Sequence, residues 1–163
     1  MDKKLKDKIT KKMMAYFGYN SNHINHAYRV LYYAEEISVI EKGVVDVVVS
    51  SALLHDIGIP NCEKKYKSIE GRLQEIEGPP VAREILESLH MDEEIIKEVC
   101  EIIGCHHSPD EIDTVNFKIM WDADWLVNLP DVYDVKDSLK LQEIISKTFM
   151  TKAGLKIAKE LYL

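Results

Sequence analysis

At 163 residues with a formal net charge of -7, the chain is long enough for one domain with its own core. It lacks the basic surface that nucleic-acid polymers and anionic membranes attract. Hydrophobic residues make up 46% and charged residues 30%, the balance of an ordinary globular protein and not of a disordered or membrane-embedded one. The first residues alternate Lys with single apolar positions and build no signal-type apolar core. The longest apolar stretch, Val44 to Leu54, is interrupted by Asp46, Ser50 and Ser51 and is too short to span a bilayer. Cys62, Cys100 and Cys105 are odd in number, which together with the absent leader predicts reduced thiols and a cytoplasmic location. Their spacing lacks the paired Cys-x-x-Cys of a zinc site, so they read as small buried hydrophobes.

In chain order the pattern is helical nearly throughout, without strand-like alternation or repeats. A first helix over about 2–17 sets Leu5, Ile9, Met13, Tyr16 and Phe17 at helical spacing and stops at Gly18. A second, capped by Ser21 or Asn22, runs to about Lys42 on a stripe that includes Ala27, Val30, Leu31, Ala34, Ile37 and Val39, with Gly43 as the stop. The third, about 44–55, is apolar on nearly all sides, as expected of a buried helix. Ile57 to Pro79 is weakly patterned and reads as a long functional loop, with room for a helical piece around Ser68 to Ile76. Gly78-Pro79-Pro80 predicts the start of a helix through about Leu89. Asp92 caps the next, which passes Val99 and Ile103 to reach His106 and His107. After a break at Ser108 to Glu111, a helix over about 116–129 is ended by Pro130. Two more follow, about 135–148 and 152–163.

The expected fold is therefore an all-α, single-domain helical bundle over 1–163. The site-bearing core covers about 22–129, and helical N-terminal (1–18) and C-terminal (135–163) segments pack on it.

Three places could carry chemistry. His55-Asp56 ends the buried third helix, where a solvated helix terminus is the competing reading. His26 shares a helix face with Asn22, Arg29 and Val30, and His23 competes with it from a nearby face. Asp122 and Asp124 sit among Met120, Trp121, Trp125, Leu126 and Leu129, where a carboxylate needs a partner such as a cation. Two apart on a helix, they point about 200° from each other. One is therefore a ligand and the other a supporting or capping group.

His26-x-x-Arg29-Val30, His55-Asp56-Ile57-Gly58 and Asp122-Ala123-Asp124-x-Leu126, in that order, resemble the HD-domain superfamily of metal-dependent phosphohydrolases. So do Gly78-Pro79-Pro80-Val81-Ala82-Arg83-Glu84-Ile85-Leu86, Ile102-Ile103-Gly104-Cys105-His106-His107 and Thr151-Lys152-Ala153-Gly154. The resemblance spans roughly 22–163. It implies an all-helical fold of the HD-domain type and a divalent metal held by His26, His55, Asp56 and Asp124. The aspartate following Ala selects Asp124 over Asp122.

Imidazole and carboxylate ligands without thiolate suit Mn, Fe, Co, Ni or Mg and admit Zn, with one ion expected. Such an ion activates a water and polarises a phosphoryl oxygen. The implied function is hydrolysis of a phosphoester or phosphoanhydride of a small phosphorylated metabolite or nucleotide. Acid-base help falls to Asp56, His106 or His107, and phosphate contact to Arg29, Lys64, Lys65 or Arg72. The alternative is a metal-containing sensing or partner-binding module with little catalysis. Two departures favour it. Gln74 stands where members with more metals commonly carry a histidine, and Ile59 and Pro60 stand where some place a phosphate-binding lysine. No nucleic-acid polymer or membrane partner is expected, and homo-oligomerisation is left open.

Overall fold

The computed structural model describes residues 1–133 and 138–163. Among these the regular elements are all helices: α1 (Lys3–Phe17), α2 (Ser21–Glu41), α3 (Val45–Leu54), α4 (Ile59–Tyr66), α5 (Gly71–Glu87), α6 (Glu93–Ile103), α7 (Val115–Val132), α8 (Ser138–Thr148) and α9 (Lys152–Tyr162). The helix expected from about 135 is described only from Ser138, so its first turn lies outside the described residues. No described helix is long and apolar enough to cross a membrane.

The centre is α3. Every residue from Val47 to Leu54 is buried, and α1, α2, α6 and α7 surround the helix. Full burial of a Val or Leu side chain stabilises by about 1.5–3 kcal/mol, so this short helix is held by its neighbours and not by its β-branched sequence. Around it α2 presents Ala27, Val30, Leu31, Ala34 and Ile37, and α7 presents Phe117, Met120, Ala123 and Leu126. The cap of α2 is Asn20, ahead of the expected Ser21 or Asn22. The side chains of Asp2, Asn20, Thr114 and Thr151 each accept a backbone N–H at a helix start. Asp92 occupies the cap position of α6 without making such a bond.

Four further expectations are corrected. The stretch from Ile57 to Pro79 is not a loop but α4, a four-residue break, and the first half of α5. Only Ile59 and Cys62 are buried in α4, too few to show a period, although Pro60 in its first turn suits a helix start. Gly78-Pro79-Pro80 does not open a helix; α5 runs through it from Gly71. Proline in a helix interior removes an N–H and crowds the preceding turn, at about 3 kcal/mol or more. Packing against α4 and α6 overrides that here, and the Cys100 thiol donates to the Pro79 carbonyl at 3.5 Å. Pro130 likewise does not end α7, which continues to Val132. Val39, expected in the buried stripe of α2, is 83% exposed.

The α4–α5 contact positions the turn after His55-Asp56. Tyr66 and Lys65 of α4 both reach Glu77 of α5, at 2.9 and 2.6 Å. At the crossing two glycines face each other. A Cβ on Gly58 would lie 2.7 Å from the Gly78 nitrogen and 2.9 Å from the Gln74 oxygen. Because those neighbours are backbone, Gly58→Ala must separate the helices, and overpacking of this kind costs about 1–3 kcal/mol. Urea denaturation of Gly58→Ala is expected to show a loss in that range.

Candidate metal centre

Three segments deliver the central side chains. α2 carries His26, the end of α3 and its following turn carry His55 and Asp56, and α7 carries Asp124. His55 is 1% exposed and donates from Nδ1 to the Ala52 carbonyl at 3.0 Å. That bond fixes the tautomer and leaves the Nε2 lone pair facing inward. His26 Nε2 lies 3.1 Å from His55 Nε2 and 3.0 Å from Asp124 Oδ1. Asp56 Oδ2 lies 3.6 Å from His26 Nε2 and 3.4 Å from His55 Nε2, and Asp124 Oδ1 is 3.5 Å from His55 Nε2.

These separations fit a shared cation. Neighbouring ligand atoms about 2.1 Å from an octahedral ion stand about 3 Å apart. Two imidazole lone pairs at 3.1 Å repel unless a proton or a cation lies between them. The electrostatics make the same demand. Burial opposes charge on His55, but the Asp56 and Asp124 carboxylates outweigh it and hold the imidazole well above the usual histidine range. Burial likewise opposes charge on Asp56, yet His55 and His106 hold its carboxyl well below the ordinary value. His26 and His55 do the same for Asp124 against its burial. The carboxylates draw positive charge into the cluster, and a divalent ion would satisfy them in place of protons.

A second group adjoins the first. His106, after α6, donates from Nδ1 to the Ile103 carbonyl at 2.6 Å, and its buried Nε2 has no hydrogen-bond partner among the described residues. That nitrogen faces Asp56 Oδ1 at 3.6 Å. His107 packs on His106 with ring centroids 4.0 Å apart. Burial and the neighbouring His106 push its imidazole down to about 4, although its outer edge is open to solvent. Glu75 of α5 holds this turn, accepting from the His107 N–H at 3.0 Å and the Ser108 hydroxyl at 3.1 Å. His26, His55 and Asp56 form one set of side chains close enough to hold an ion; Asp56, His106 and His107 form another.

Asp122 takes the other role. It is 0% exposed and points away from the cluster. It accepts from the Met150 N–H, the Thr151 N–H and the Thr151 hydroxyl at 2.7–2.8 Å. Burial pushes its carboxyl up to about 6 against those three donors. It caps the segment entering α9, whose start also receives Glu41 at the Ala153 N–H.

The cluster opens into a cavity of about 350 Å³ walled by Asn22, His23, Ile69, Gln74 and Asn128, among others. A larger groove, about 600 Å³, runs between α2 and α9 past Tyr32, Val39 and Leu161. It gathers no comparable ligand set, so the chemistry belongs to the smaller cavity. His23, the competitor of His26, stacks on Phe17 at 5.5 Å and stands on the wall, not among the central atoms. None of the cations expected to contact phosphate lines this cavity. Lys65 is paired with Glu77, and Arg29, Lys64 and Arg72 are exposed elsewhere. Asn128 went unrecognised in the sequence. Its amide donates to Asp124 Oδ1 at 2.9 Å, and its position one turn beyond Asp124 was the available signal.

Comparison with known proteins adds two findings. The HD domain family matches residues 24–145. The fold superposes with a TM-score of 0.72 on the crystal structure of a predicted HD superfamily hydrolase from an uncultured Thermotogales bacterium, at 27% identity over 96% of this chain and 84% of that one. No curated protein sequence matches significantly.

Asp122→Ala leaves three donors, two of them buried on Thr151, without their charged acceptor. A loss of about 3 kcal/mol is expected in urea unfolding, larger than for truncating an exposed aspartate such as Asp113.

Proposed function

The chain belongs to the HD-domain family, and from that membership we propose that it is a metal-dependent phosphohydrolase. The reaction is cleavage of a phosphoester or phosphoanhydride of a small phosphorylated metabolite or nucleotide by water, in the cytoplasm. The observation that carries this reading is the convergence of His26, His55, Asp56 and Asp124 from three segments, with contacts of 3.0–3.6 Å among their ligand atoms.

His26, His55, Asp56 and Asp124 would hold one divalent ion. Nitrogen and oxygen ligands without thiolate suit Mn, Fe, Co, Ni or Mg, with Zn admitted. When bound, such an ion acidifies a water and polarises a phosphoryl oxygen. The chain supplies the rest. Backbone carbonyls hold the His55 and His106 rings in one tautomer. Asn128 orients Asp124. Asp56 has one oxygen toward His26 and His55 and the other toward His106, so it can accept the attacking water's proton while fixed in place. His106, whose Nε2 faces Asp56 Oδ1, is the group placed to take up that proton and return it to the leaving oxygen, while His107, held neutral by burial, lines the cavity wall beside it.

Stripping the protein with a chelator and adding back Mn or Co should restore phosphate release from a phosphoester panel, with close to one ion per chain by elemental analysis. His26→Ala, His55→Ala and Asp124→Ala should each lose the ion and at least about 100-fold in kcat/KM. Asn128→Ala should keep the fold but weaken metal affinity by about 10–100-fold, as for other groups that orient a ligand. A loaded, folded protein that binds phosphoesters without turning them over would favour the sensing module instead.

A further inference from the structure

Two cavities meet over the ligand cluster. One, about 350 Å³, opens above His26, Asp56 and Gln74. The other, about 290 Å³, runs along α7 past Trp121, Trp125 and Asp131. His107, Asp124 and Asn128 belong to both walls. Asp124, Asn128 and Asp131 stand at i, i+4 and i+7, so they form one stripe of α7, with Asp131 about 10 Å along the axis from Asp124. A phosphoryl group above the cluster thus leaves the remainder of its molecule room to lie along α7, beside the indoles and toward the Asp131 carboxylate.

The lining groups define what fits there. Among the described residues no Lys or Arg lines either cavity. One divalent ion would balance Asp56 and Asp124, and no ion pair among the described residues involves Asp131. A chain of two or three phosphates directed along α7 would approach a carboxylate instead of the cations that polyphosphates require. The indoles of Trp121 and Trp125, 5.9 Å apart and tilted, offer flat apolar surface suited to a planar ring. Asn128 uses one amide N–H on Asp124 at 2.9 Å and keeps its carbonyl oxygen and its second N–H for a ligand. Asp131 is an acceptor as well. The Asp131 end of the slot therefore calls for a hydrogen-bond donor on the ligand, and Asn128 can accept from one as well.

We propose that the slot of Trp121, Trp125, Asn128 and Asp131 selects a phosphomonoester of a planar ring bearing an exocyclic amine, the chemistry of an amino-bearing nucleoside monophosphate. This rests on the phosphohydrolase reading above. Water adds to phosphorus, the ester P–O bond breaks, and the ring-bearing alcohol leaves with a proton, giving inorganic phosphate.

CMP and UMP form a matched test, since cytosine carries an amine where uracil carries an acceptor oxygen. The chain has two tryptophans, Trp121 and Trp125, and both line the slot, so intrinsic fluorescence reports its occupancy. Cytidine titrated into metal-stripped protein is expected to quench that fluorescence, and uridine about tenfold less tightly. In the metal-loaded protein kcat/KM for CMP should exceed that for UMP by about tenfold and that for CTP by more. Asp131→Asn should bring the CMP-to-UMP ratio close to one, mainly through KM. Equal quenching by cytidine and uridine, equal rates for CMP and UMP, or preference for CTP overturns the proposal. The nucleoside titration needs no turnover, so quenching without phosphate release from any ester sinks the hydrolase reading and keeps the slot. Release from glycerol phosphate without discrimination between CMP and UMP does the reverse.

Discussion

Two carboxylates, Asp56 and Asp124, are held within a few ångströms of the same pair of imidazoles, beside the end of a helix buried from Val47 to Leu54. Carrying such groups out of water is expensive unless positive charge goes with them. In the protein alone that charge can come only from protons on the histidines, which is why His55 is driven so far from its ordinary behaviour. An ion would replace the protons and relieve the lone-pair conflict between His26 and His55. The need for a positive centre, more than any single contact, accounts for how these side chains are arranged.

The scaffold serves that centre by keeping its three sources rigid relative to one another. α3 is buried over most of its length, so the His55-Asp56 turn cannot shift without disturbing the core. α2 and α7 pack on it and on each other, bringing His26 and Asp124 to it from either side. Support comes from beyond the site as well. Glu77 binds α4 to α5 behind the turn, Glu75 holds the turn of His106 and His107, and Asp122 ties α7 to the start of α9. These acidic residues accept from backbone or side-chain donors and keep neighbouring helices in register with the cluster.

Much of the central set was legible because it is written locally. A buried apolar run ending in His55-Asp56, and a choice between Asp122 and Asp124 forced by helix periodicity, are short-range patterns that survive folding unchanged. The family resemblance then chose among the candidates. What could not be read depends on distance. Whether Lys65 meets a phosphate or Glu77 is decided by how α4 leans on α5. The prolines of α5 and Pro130 are strong local stop signals, overruled by packing that no local window contains. Val39 fits the α2 stripe by spacing and is left uncovered by the helices actually present. The two cavities, and the absence of basic residues from their walls among the described residues, exist only once the helices are assembled.

The segment Asp122-Ala123-Asp124 faces two ways within three residues. Asp122 reaches the turn before α9, Ala123 lies in the core, and Asp124 reaches the histidines. Each residue added or removed there would swing everything downstream by about 100°, pulling Asn128 and Asp131 off the cavity at once. Natural variation at this point should therefore take the form of exchanged side chains and never of altered length. The spacing between these two acids is a ruler against which divergent copies of the chain can be lined up.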